Sequence, residues 1–176
     1  EAAEAYKGLI KKYPHYVDAH LRLGCEARAD GRHSDAEEHF QHALKLEPAN
    51  QEARGLLGSL FIAMGNEEAF DKAEGCFDEI LKVSKHDAYA NLSLADIYMR
   101  RMNNLLGKKS PEAIKKSHGQ FTKAKEKFYE VLKMYPNNMY AGNGFGAVFA
   151  HLKKWPEAKQ TLQMVKTANS MRTVSH

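Results

Sequence analysis

Three sets of residues have types and spacings that would suit chemistry. His39 and His42 stand three apart, close to one turn of a helix, so both rings can reach one metal ion. The neighbouring sequence offers no third ligand and no Cys-x-x-Cys, so no metal is expected there. Gly142-Asn143-Gly144-Phe145-Gly146-Ala147 spells the dinucleotide fingerprint. That fingerprint needs a strand before it and a tight strand-to-helix turn, whereas Pro136 to Tyr140 close one helix here and the glycines fall inside the next. Helix packing explains Gly146 without a cofactor. Asn91-Leu92-Ser93 is a glycosylation sequon by spelling, set in a helical register and without a secretory context. Cys25 and Cys76 are expected to be reduced, part-buried thiols. No Gly-x-Ser-x-Gly, phosphate loop or triad is present, and the expectation is a protein that is not an enzyme, with no cofactor and no small-molecule substrate.

The elements that would carry such groups follow from composition. Of 176 residues, 43% are apolar and 27% charged, and the mean hydropathy is −0.59. Five prolines and twelve glycines against abundant Ala, Leu, Glu and Lys favour helix. The longest apolar run, Leu60 to Met64, is far short of the roughly 20 residues that cross a bilayer, so no membrane partner is expected. The net charge is +4, but nine Lys and Arg and only Glu112 and Glu126 lie between Arg100 and Lys127, a local +7.

The chain repeats itself. Leu23-Gly24 returns as Leu57-Gly58 thirty-four residues later, and Gly31 as Gly65. Leu23-Gly24, Ala36, Phe40, Ala43 and Pro48 fall where the tetratricopeptide pattern has large-small, small, aromatic, small and proline. The series continues through Ala73, Phe77 and Ile80, then Leu94-Ala95, Tyr98, Ala124, Phe128 and Val131, then Phe145-Gly146, Phe149, Ala158, Leu162 and Val165. The chain therefore resembles the tetratricopeptide family. The implied fold is all-α, an α-solenoid array of antiparallel helix pairs. Its units are residues 1–16 (the second helix of a preceding repeat), 17–50, 51–87, 88–138 and 139–170, so the array is expected to begin and end inside a larger one. Gly24, Gly58, Ala95 and Gly146 are expected at close helix crossings opposite Ala36, Ala73, Ala124 and Ala158. Gly31 and Gly65 should turn the chain, Ser34 with Glu37 reads as a capping box, Pro156 fits a first helical turn, and Pro14, Pro48 and Pro136 close their units.

The resemblance implies a groove lined by first helices. Its face would carry Asp18, Cys25 and Arg28; Glu52, Ser59 and Ile62; Tyr89, Asp96 and Arg100; and Tyr140, Asn143 and His151. Arg28, Tyr89, Arg100, Tyr140, Asn143 and His151 are the partner-binding candidates, suited to an extended peptide or a partner helix.

The third unit has seventeen extra residues, about 103–119. Leu94, Tyr98, Met102 and Leu105 keep helical spacing on one side, and Ile114, Phe121, Ala124, Phe128, Val131 and Tyr135 on the other. The spacing predicts an extended helical hairpin bent around Gly107 to Lys109, with Ser110-Pro111 as cap and first turn. It would project Lys108, Lys109, Lys115 and Lys116.

Tyr13-Pro14-His15-Tyr16-Val17-Asp18, Leu21-Arg22-Leu23-Gly24 and the run Asn138 to His151 carry a closer likeness. With the order of units and the basic insertion, they resemble the repeat-rich scaffold subunit family of the polymerase-associated factor (Paf) complex. The sequence departs from that pattern at Cys25-Glu26-Ala27 and through most of the insertion. The resemblance implies a nuclear protein-interaction scaffold whose partners are the other Paf subunits and the RNA polymerase II machinery, in transcription elongation and co-transcriptional histone modification. Two alternatives stand beside it: a chaperone-type adaptor that clamps a C-terminal peptide, and nucleic-acid or phosphate binding through the basic insertion. Asp18 and Glu52 would repel the carboxylate that the first requires.

Overall fold

The computed structural model describes residues 2–151 together with 156, 159, 160 and 163. Among these residues every regular element is an α-helix and there is no strand. The helices are α1 (Ala2–Lys12), α2 (Val17–Ala29), α3 (His33–Leu46), α4 (Gln51–Met64), α5 (Glu67–Val83), α6 (Ala88–Gly107), α7 (Pro111–Met134) and α8 (Met139–His151). They fall into two compact units, Glu1–Val83 and Ser84–His176.

In the first unit α2 pairs with α3 and α4 with α5, α3 packs on α4, and α1 packs on α2. The seams are built from the small and large residues of the repeat. Ala36, Phe40, Ala43, Ala73 and Phe77 are fully enclosed. A methyl group on Gly24 would lie 2.5 Å from the Phe40 ring, and one on Gly58 would lie 2.7 Å from Phe77. The glycines thus admit the aromatic ring of the paired helix. The expected partners Ala36 and Ala73 are buried in the same seams, but the groups nearest to the glycines are the rings. Gly31 and Gly65 adopt φ of 74°, the left-handed conformation that ends a helix and that glycine enters without a steric penalty.

The second unit is dominated by one hairpin. At about 1.5 Å per residue, the 20 residues of α6 and 24 of α7 run roughly 30 and 36 Å. Residues 103–107 continue α6, Lys108 to Ser110 make the turn, and 111–119 open α7. The extended hairpin expected from the sequence is present, with Met102, Ala113, Ser117 and Phe121 buried along it. α8 packs on α7. There Gly144 makes the close approach, since a methyl group on it would lie 2.3 Å from Phe128. The expected contact of Gly146 with Ala158 cannot be placed because Ala158, Leu162 and Val165 lie outside the described residues; Gly146 itself is buried, and Pro156 is helical.

Five helix starts, those of α4 to α8, obey one local rule. The side chains of Asn50, Asn66, Asp87, Ser110 and Asn138 accept the backbone N–H of Ala53, Ala69, Ala90, Ala113 and Ala141, three residues on, at 2.7–3.1 Å. Ser110 followed by Pro111 caps α7 as expected. The capping box assigned to Ser34 and Glu37 does not form. α3 begins two residues earlier than that cap implies, at His33, with Arg32 at the N-cap and no side-chain cap. Arg32 bridges Asp30 at 3.0 Å and Asp35 at 2.7 Å, which ties down the entry to the helix instead.

Candidate protein-interaction surface

In the second unit, Tyr89, Asp96 and Arg100 follow one another at steps of seven and four along α6, which aligns them on one stripe of the helix. The Arg100 Nε donates to Asp96 Oδ2 at 2.9 Å, fixing the guanidinium along the helix surface. Tyr140, on the first turn of α8, has its hydroxyl pushed above the usual phenol range, first by burial and then by the Asp96 carboxylate, with Arg100 opposing. The residue as a whole is 58% exposed, so its ring remains accessible. Tyr89, Asn143 and His151 are exposed as well. Each sequence-derived candidate of this unit is thus accessible: the rings of Tyr89 and Tyr140 and the hydrogen-bonding groups of Arg100, Asn143 and His151. Such groups anchor partner proteins because they bring large contact area with few rotors to freeze.

In the first unit the corresponding candidates are quieter. Half-buried Arg28 on α2 donates from Nη1 to Ser59 Oγ on α4 at 2.8 Å, and that hydroxyl donates to the Leu56 carbonyl at 3.0 Å. Cys25 and Ile62 are half-buried, while Asp18 and Glu52 are exposed, with Asp18 paired to Arg22 at 3.4 Å. Arg28 acts as a brace between two first helices and retains only part of its surface for a partner.

The basic residues of the insertion are all exposed. Lys108 and Lys109 form the turn, and Lys115 and Lys116 stand in the opening turns of α7, where Lys116 pairs with Glu112 at 2.9 Å.

Two further features bear on chemistry. Burial pushes the Cys76 thiol up to about 11, so it stays protonated at neutral pH and is a poor nucleophile. His39 and His42 do gain a third histidine, which linear spacing did not disclose. His20, on α2, stacks on His42 with ring centroids 4.1 Å apart, and its Nδ1 lies 3.3 Å from Nδ1 of His39. The rings of His20 and His42 are nearly parallel, at 18°, so their lone pairs do not converge on one ion. Among the described residues no three His, Cys, Asp or Glu are disposed to hold a metal. His20 Nε2 instead lies 3.3 Å from the Pro14 carbonyl, so the cluster ties the turn after α1 to the α2–α3 pair.

Paired antiparallel helices with glycine-and-ring seams, and a left-handed glycine at the turn inside the two repeats of the first unit, give the fold of a tetratricopeptide-repeat array. The family model described as tetratricopeptide repeat matches residues 27–70. The chain's curated relatives have a particular name. The chain is 30% identical over 172 residues to the RNA polymerase-associated protein CTR9 of Caenorhabditis elegans, covering 97% of this chain and 14% of that protein. It is 35% identical over 170 residues to the CTR9 homolog of Arabidopsis thaliana, covering 94% of this chain and 15% of that protein. The chain therefore spans about a seventh of the length of these relatives. Among solved structures, MamA aligns with a TM-score of 0.76 at 20% identity, over 97% of this chain and 88% of that one. A thermophilic tetratricopeptide protein of Thermus thermophilus aligns at 0.67 and 19%, over 88% of this chain and 75% of that one. These structures bear on the fold alone; both fold and relatives support a protein-interaction scaffold.

Proposed function

We propose that this chain is a repeat segment of a nuclear scaffold that organises Paf-complex subunits on elongating RNA polymerase II, in support of co-transcriptional histone modification. The observation that carries this reading is likeness to CTR9 proteins over nearly the whole chain. The exposed residues agree with the role: Tyr89, Tyr140, Asn143 and His151 offer anchors and hydrogen bonds to a protein partner. Partner binding through Arg28, Tyr89, Arg100, Tyr140, Asn143 and His151 belongs to this proposal.

The test is reconstitution with recombinant Paf subunits, read by size-exclusion chromatography and by affinity capture from nuclear extract. One subunit should co-elute with the chain, and Tyr89→Ala with Tyr140→Ala should weaken that complex roughly tenfold or more, as loss of central aromatic anchors does. Failure to recover any of these subunits by either route removes the Paf assignment and leaves the repeat scaffold standing.

A further inference from the structure

The tip of the α6–α7 hairpin lies beyond the candidate groove residues, and its surface has a mixed character that the groove reading does not use. Lys108, Lys109 and Lys115 are exposed there and form no ion pair among the described residues, and the only acid of residues 103–119, Glu112, already serves Lys116. Two aliphatic side chains accompany them: Leu106 is 36% exposed and Ile114 43% exposed. Half-buried Leu105 and buried Ala113 occupy the seam of the hairpin. In an antiparallel pair, one step beyond the seam on each helix turns both side chains to the same side, which sets Leu106 and Ile114 on one flank beside the lysine turn.

The turn carries a second signal. Lys109 adopts φ of 52°, and it is the one non-glycine residue at positive φ among those described. Glycine or asparagine would occupy this left-handed position at lower conformational cost. A lysine held there keeps a cation at the apex at the expense of local stability, and such strain points to use.

Resting on the scaffold reading above, we propose that this tip docks an acidic segment of a partner protein that carries aliphatic or aromatic side chains between its acids. The lysines complement the acids, and Leu106 and Ile114 receive the apolar residues. A phosphate backbone would answer the cations but gives the two aliphatic groups nothing to bury against, and residues 103–119 include no Phe, Tyr or Trp, leaving His118 as the single ring on which a base could stack.

The experiment is fluorescence anisotropy on the intact chain with three labelled probes of matched charge. They are a peptide alternating Glu or Asp with Leu or Phe, the same peptide with Ser for Leu and Phe, and a single-stranded oligonucleotide. The first should bind about tenfold tighter than the other two. Lys108→Glu with Lys109→Glu and Lys115→Glu should weaken it by about tenfold or more, and so should Leu106→Ser with Ile114→Ser. All five positions are exposed, so the helical circular-dichroism signal should persist in each variant. Lys109→Gly separates strain from charge: it should raise the thermal midpoint while weakening the peptide. Tighter binding of the oligonucleotide, or indifference of the first peptide to both sets of substitutions, overturns the proposal. If Arg100→Ala with Tyr140→Ala abolishes peptide binding and the tip variants do not, the tip is excluded while the scaffold reading survives.

Discussion

At Gly24 one hydrogen atom separates a closed helix pair from a clash. The Phe40 ring occupies the space that a side chain would need, with its nearest atom 2.5 Å from where a methyl group would sit, and the ring is fully enclosed. Because ring and neighbours are close-packed, Gly24→Ala should destabilise the chain by about 1–3 kcal/mol, seen as a lower midpoint in urea at unchanged slope. Single groups also govern the response to acid. His20 and His39 both have pKa values lowered from 6.5, chiefly by burial. Asp35 and Glu38 act on His39 in the opposite sense, while His20 and His42 add to the lowering. The unfolded chain therefore takes up protons first as pH falls through about 6.5. Stability contributed by the neutral cluster is present above that value, declines as pH drops toward the depressed folded values, and is gone below them. Urea titrations between about pH 8 and pH 5 should show this decline, smaller in His39→Gln than in the parent; equal declines would place its origin elsewhere.

Element by element, the chain is organised by how helices start and where glycine falls. Asn50 and Asp87 satisfy otherwise unpaired amides at the first turns of α4 and α6. Asn50→Ala or Asp87→Ala should each cost about 1 kcal/mol in chemical denaturation. Gly119 is the opposite case, a glycine inside α7 around which a methyl group would meet nothing within 4 Å. Gly119→Ala should stabilise the chain by about 0.5–1 kcal/mol, and a loss of stability would mean that this stretch is not a continuous helix. These contrasts show what could be read from the sequence. The 34-residue spacing of Leu23-Gly24 and Leu57-Gly58 disclosed the pairs, and the spacing of Leu94 to Leu105 and of Ile114 to Tyr135 disclosed the long hairpin, because packing forces those periods on the chain. The failed Ser34 cap was out of reach, since capping depends on which residue leaves helical dihedrals, and Arg32 does so here. Gly144 was hidden for a similar reason: the repeat pattern marks Gly146, whereas the approach of Phe128 comes from α7 packing on α8. His20 joined His39 and His42 only through the α2–α3 crossing, which linear spacing does not encode.

For the molecule as a whole, the uneven placement of charge gives two surfaces that salt can tell apart. Of a net +4, the stretch from Arg100 to Lys127 holds +7, so the rest of the chain is slightly acidic. Encounters with an acidic partner should therefore be steered to the hairpin, where the cations of the tip are exposed and open to screening. A partner at the proposed site of Tyr89, Tyr140 and Asn143 would meet rings and neutral hydrogen-bonding groups, and Arg100 there is already paired with Asp96. Raising ionic strength from about 50 mM to 500 mM shortens the Debye length from roughly 14 to 4 Å, which weakens exposed charge pairs and leaves buried apolar contacts largely intact. A partner held by the hairpin should lose affinity across this range mainly through a slower association rate, and Lys108→Glu with Lys109→Glu and Lys115→Glu should remove most of that salt dependence. Each reversal removes two charges, so the triple variant carries a net −2, and its folding is expected to be unaffected because all three side chains are in solvent. A partner held by the tyrosine face should show nearly constant affinity with salt and respond to Tyr140→Ala instead. Stopped-flow measurement of both rates over the salt series distinguishes them, and a partner whose binding is insensitive to salt and to the lysine reversals does not use the hairpin.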